Sequence, residues 1–229
     1  MKRILSAAAA AAVVASAGAA GAADLAVETI TAGPATQQGG FYATFFAGGS
    51  LPEAKVTAYD GGVPVGITFD VGFDTGYIVG GAIGREILDN LRGEVEFSVV
   101  SSEVSELLGG PVPDGAMKST GYNLLANLWY DIDTGTAFTP YLGGGVGYGY
   151  DVLSSDFSSD ESNTSGLLYQ LGAGINYAVT EDVSLGLGYR YRVQPDAEVT
   201  DPDFPMGPGD KVVSSATNHI VQAGVTFSF

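Results

Sequence analysis

Glu94 and Glu96, with Arg190 and Arg192, are the residues of this sequence best placed to do chemistry. Each pair sets two like charges one residue apart, the spacing that turns both side chains to one face of a β-strand. Two carboxylates facing two guanidiniums can carry a proton path, line a gated pore, or lock together as a structural ion-pair cluster. Paired carboxylates also serve glycosidases, but carboxylates alone do not make one.

Other chemistry is thinly represented. His219 is the only histidine, with Ser214 and Ser215 a few residues upstream. That is too little for a hydrolase assignment, and a lone histidine at the start of a strand reads better as an interfacial side chain. No G-x-S-x-G, H-E-x-x-H or G-x-G-x-x-G occurs. The absence of cysteine removes disulfides, thiolate catalysis and Cys-ligated zinc. We therefore expect no catalytic residues, no metal site and no cofactor. Charged residues make up 15% of the chain, yet the formal net charge is −17, which excludes a nucleic-acid partner.

The elements that must position these side chains are strands. With 34 Gly, 12 Tyr and 11 Phe in 229 residues, the composition favours β-structure. Eight segments alternate at period two: residues 39–49, 73–86, 92–100, 120–132, 140–150, 167–179, 183–193 and 219–229. In "RGEVEFSVV", Val95, Phe97 and Val99 oppose Glu94, Glu96 and Ser98. In "VSLGLGYRYRV", Leu185, Leu187, Tyr189 and Tyr191 oppose Gly186, Gly188, Arg190 and Arg192. Leu125 and Trp129 blur the alternation of "TGYNLLANLWYDI".

These segments run near 10 residues, longer than the ~5–6 of an ordinary soluble strand. Connections at 87–91, 131–136 and 179–182 are short, whereas 50–72, 104–118, 151–164 and 194–216 are long. Short turns at one end and long loops at the other describe a membrane barrel. Aromatic residues near segment ends (Phe41, Tyr42, Tyr130, Tyr150, Tyr177, Tyr191, Phe227) would form its interfacial girdles. The long connections are acidic, with Asp151, Asp156, Asp160 and Glu161 in the third and Asp196, Glu198, Asp201, Asp203 and Asp210 in the fourth. "DFSSDES" lacks the spacing and glycine of an EF-hand.

The amino terminus, "MKRILSAAAAAAVVASAGAAGA", has a basic start, a short apolar stretch and an A-x-A site at Ala20-Gly21-Ala22. It reads as a secretory signal peptide over 1–22. A polar periplasmic lead-in over 23–38 and a transmembrane barrel over 39–229 follow. Loss of Lys2 and Arg3 takes the formal charge from −17 to −19.

The signal peptide, "RGEVEFSVV", "PYLGGGVGYGY", "LLYQLGAGINYAV", "SLGLGYRYR" and the terminal "AGVTFSF" together resemble the bacterial outer-membrane β-barrel family of small OmpA-like and opacity-type proteins. The resemblance covers nearly the whole mature chain. It implies an all-β, eight-stranded, antiparallel, up-and-down transmembrane barrel with four long extracellular loops. It also implies a last strand whose Val225, Phe227 and Phe229 form the signal read by the barrel-assembly machinery. The partners it implies are outer-membrane lipid, periplasmic chaperones and that machinery, with an extracellular ligand left unnamed. Glu94, Glu96, Arg190 and Arg192 then face the lumen. An eight-stranded barrel is only wide enough to hold its own side chains, so a lumen filled by ion pairs is favoured, in a protein with a structural or surface-interaction role. A narrow channel for small solutes or ions is the alternative.

Overall fold

The structure is a computed structural model that describes residues 40–60, 63–156, 162–200 and 211–229. The stretches read above as signal peptide and lead-in lie outside the described residues, as do Asp160, Glu161, Asp201, Asp203 and Asp210.

Alternating apolar and small or polar residues give ten strands: β1 (Phe41–Asp60), β2 (Val63–Phe73), β3 (Gly76–Leu88), β4 (Leu91–Leu107), β5 (Gly110–Pro111), β6 (Met117–Asp131), β7 (Phe138–Ser155), β8 (Ser162–Ala178), β9 (Val183–Thr200) and β10 (Lys211–Ser228). Eight of them close an antiparallel ring in the order β1, β3, β4, β6, β7, β8, β9, β10, with β10 pairing back onto β1. Closure satisfies both sheet edges, which is what permits strands to cross lipid. Phe229 completes the seam: its backbone N–H donates to the Phe41 carbonyl and its carbonyl accepts from the Phe41 N–H.

The outer surface is the apolar one. Leu171 is 67% exposed and Leu187 57% exposed, and Ile83, Val95, Phe97, Leu124 and Leu128 also point out of the barrel. A soluble sheet would bury this face; here it is the lipid-facing band. The turns at Asp89-Asn90, between β6 and β7, and between β8 and β9 share one end with both termini of the barrel. Asn90 takes a positive φ of 64° in the two-residue turn, a conformation that asparagine tolerates.

At the opposite end the described residues of the long connections are mostly strand rather than loop. Within 50–72, the outer part of β1 up to Asp60 pairs with β2 from Val63, with Ala54 opposite Val71 and Lys55 opposite Asp70. β2 continues into β3 past Asp74 and Thr75, and its membrane-proximal end, from Val71 to Phe73, also pairs with β4. β4, β6, β7, β8, β9 and β10 likewise run several residues past the aromatic girdle. Backbone hydrogen bonding favours this: once two antiparallel strands are in register, extending the ladder satisfies N–H and C=O groups that a loop would leave to water.

One girdle assignment is corrected. Tyr42 is only 6% exposed and points into the lumen, while Phe41 beside it points out. Adjacent residues of a strand must face opposite sides, so only one of the two can sit in the interface. Leu125 and Trp129 are each 1% exposed and lie inside; the interior accepts large apolar side chains where the facing strand is glycine.

Candidate functional site

The inward residues of β6 and β7 are matched in size. Trp129 is registered with Gly143, Asn127 with Gly145 and Leu125 with Gly147. A Cβ at Gly143 would lie 2.8 Å from Trp129 Cε3, and one at Gly145 would collide with the Asn127 amide. The glycine row thus leaves the space that the β6 side chains fill.

Level with that row, on the other side of β6, β4 contributes to a charged layer, with Arg92 registered with Trp129, Glu94 with Asn127 and Glu96 with Leu125. Glu96, fully buried, accepts from Arg190 Nη1 at 2.6 Å, Arg192 Nη2 at 2.5 Å and Asn127 Nδ2 at 2.9 Å. β4 and β9, which carry these charges, are four places apart in either direction around the ring. The ion pairs therefore span the full width of the lumen. Arg192 also donates to Gln170 Oε1 at 2.8 Å and Ser98 Oγ at 3.1 Å, and Gln170 donates on to Asn127 Oδ1 at 3.0 Å. Arg190 lies 4.7 Å from the Trp129 ring centroid, a cation–π distance. With its amide oxygen turned toward it, Gln222 accepts from Arg190 Nε and Nη2 at 3.2 Å.

Glu94 is in the same layer but differently held. It makes no ion pair with Arg190 or Arg192; Tyr42 Oη donates to it at 3.0 Å, Trp129 Nε1 at 2.7 Å and Asn127 Nδ2 at 3.1 Å. Three neutral donors satisfy this carboxylate in place of a guanidinium. Below it, Arg92 grips Asp131 through Nε–Oδ2 at 2.5 Å and Nη2–Oδ1 at 2.9 Å, and donates to Tyr42 Oη at 3.2 Å. Arg92 and Asp131 escaped the reading of the sequence, although Arg92 continues the Glu94, Glu96 parity by one step. The layer holds three guanidiniums against three carboxylates, so it is formally neutral.

A pocket of about 40 Å³ lies on the termini side of the layer, lined by residues including Thr44, Asn176 and Thr226. That is room for a water molecule or so. On the far side lies a chamber of about 700 Å³, with Arg192, Asn123 and Gln194 toward its floor.

The histidine site is not assembled as a hydrolase. His219 faces outward, with its Nδ1 2.6 Å from Tyr189 Oη and its ring 5.0 Å from that of Tyr191. Ser214 faces the chamber instead, on the opposite side of the strand. The terminal residues Val225 and Phe227 are registered with Phe45 and Ala43 of β1, and Phe229 is 72% exposed. Among the described residues no cluster of three or more His, Asp or Glu could hold a metal ion.

The comparisons with known proteins follow this architecture. The outer membrane protein PagN of Salmonella typhimurium is 26% identical over 153 residues, covering 62% of this chain and 60% of PagN. Among solved structures, OprG of Pseudomonas aeruginosa superposes with a TM-score of 0.54 at 17% identity, over 84% of this chain and 98% of OprG. Neisserial surface protein A superposes with a TM-score of 0.52 at 19% identity, over 82% of this chain and 97% of its own. Both share the fold. The sequence matches the outer membrane protein β-barrel domain over residues 6–229. With the closed eight-strand ring and its lipid-facing band, this makes the chain a member of that family and a protein of the bacterial outer membrane.

Proposed function

We propose that this barrel is a closed membrane anchor that acts at the cell surface by interaction rather than by conducting solutes, and that it is not an enzyme. The observation that carries the reading is the Glu96 carboxylate bonded to Arg190 and Arg192 from the opposite wall of the ring. A channel needs a continuous water path. A buried, formally neutral layer whose donors and acceptors are spent on one another offers ions neither a vacant partner nor room.

The extended end supplies the interaction surface. Exposed Glu53, Asp70, Asp74, Glu103, Glu106, Asp114 and Asp156 stand there against Lys55 and Lys118. Such a field attracts basic partners and repels anionic ones. Single-channel recording of the refolded protein in planar bilayers tests the reading. The expected result is a silent bilayer; a steady open conductance in the unmutated protein would overturn the plug and establish the narrow-channel alternative.

A further inference from the structure

Asp151 is an inward charge that the plug does not use. Its neighbour Tyr150 points out of the barrel, so strand parity turns Asp151 into the lumen, where it lines the chamber of about 700 Å³. It is half-buried, and the surface it keeps lies inside the ring. Its registered partners are Gly121 of β6 and Thr164 of β8. A Cβ at Gly121 would collide with Asp151 Oδ1, so the carboxylate lies over bare backbone.

The groups that face it are neutral. Ser119 and Asn123 flank Gly121 on β6, Thr164 stands on β8, and Gln194 of β9 hydrogen-bonds the carboxylate. Arg192, also in the lining, is already bonded to Glu96. Among the described residues no cation lies within ion-pair distance of Asp151. The charged layer is formally neutral without it, so its charge is uncompensated. Burial pushes the Asp151 pKa up to about 6, against a smaller lowering by the Gln194 hydrogen bond. A cation beside the carboxylate would reverse that shift.

The walls narrow the kind of cation. A calcium ion takes about 6–8 oxygen ligands, and among the described residues no group of three or more His, Asp or Glu could hold a metal. Val100, Val104, Met117, Leu153 and Leu168 line the same chamber and suit an alkyl body instead. The volume falls within the ~300–1,000 Å³ of sites that take small organic ligands, and the acidic residues of the extended end draw cations toward the mouth. We propose that the chamber binds an organic ammonium group, a protonated primary amine on a short apolar chain, with its nitrogen on the Asp151 carboxylate. Such a group belongs either to a free amine or to a lysine side chain of a peptide. This goes beyond the surface role proposed above and holds whether or not the barrel conducts.

The test is methyl NMR on Val- and Leu-labelled protein in phosphatidylcholine nanodiscs. The probes are pentylamine, the neutral pentan-1-ol, and Nα-acetyl-lysine methylamide; outward methyls such as Leu124 and Leu171 serve as internal controls. The expected result is a saturable shift of the Leu153 and Leu168 methyls with pentylamine, with the lysine derivative, or with both. Pentylamine alone identifies a free amine as the source, and the lysine derivative alone a peptide side chain. The responding amine should bind at least about tenfold more tightly than pentan-1-ol, the scale of a hydrogen bond to a charged group. Its affinity should fall as the pH drops below about 6 and Asp151 takes up a proton. Asp151→Asn should remove both the preference and the pH dependence, whereas Asp74→Asn on the exposed rim should leave both in place. Folding of each variant is checked by heat-modifiable gel migration. A saturable response to neither amine would overturn the proposal. So would an amine preference that survives in Asp151→Asn, or an equal loss in Asp74→Asn.

Discussion

Glu96→Gln should be among the most damaging polar substitutions in this barrel. The side chain is fully buried, and the two guanidiniums it neutralises are 3% and 7% exposed, so solvent compensates little when the carboxylate is lost. The glutamine oxygen can still accept one hydrogen bond, but its amide nitrogen is a donor and must face a second donor, Arg190, Arg192 or Asn127. The layer then carries a net positive charge. Breaking a buried pair by removing one partner costs about 3–5 kcal/mol, a large share of a typical ~5–15 kcal/mol stability. Arg190→Gln should cost less, because Arg192 keeps Glu96 paired. Glu96→Gln with Arg190→Gln returns the layer to neutrality, so the double variant should recover part of the loss, with a coupling of about 1–3 kcal/mol. Trp129 is the only tryptophan in the chain and lies within this layer. Its emission during urea unfolding in lipid vesicles therefore reports the lumen directly. Additivity within about 0.5 kcal/mol, or a double variant no more stable than Glu96→Gln alone, would refute direct coupling.

The lipid-facing assignment predicts that Leu171→Arg or Leu187→Arg costs about 2–4 kcal/mol near the midplane, whereas Thr136→Arg in a short turn costs little. Equal stabilities in vesicle unfolding would invert the barrel's faces. Gly143→Val should misplace Trp129, losing at least about 1–3 kcal/mol by overpacking and shifting the tryptophan emission; an unchanged spectrum and midpoint would contradict the size matching across β6 and β7. Deletion of Phe229, or Phe229→Asp, should reduce assembly into the outer membrane while export to the periplasm continues, and an undiminished heat-modifiable band in the membrane fraction would refute it.

What the sequence determined by itself is everything that period two controls. Alternation assigned Glu94, Glu96, Arg190 and Arg192 to one face and Leu171 and Leu187 to the other, because a strand residue has no third direction in which to point. The same rule turns Arg92 and Tyr42 inward, although Arg92 borders a turn and Tyr42 sits at the height of a girdle. Strand length misled at the outer end, since Gly-, Ser- and Asp-rich segments have the composition of loops and become strand only when a neighbour offers a ladder.

Tertiary structure alone decided which charges meet. Parity says that Glu94 and Glu96 both face inward; it does not say that Glu96 takes both arginines while Glu94 is left to Tyr42, Trp129 and Asn127. That choice depends on the stagger with which eight strands close, which sets the heights at which β4 and β9 face each other across the lumen. The chamber has the same origin. Its walls come from residues as distant in sequence as Val71 and Leu168, and a volume enclosed by a ring exists only after the ring has closed.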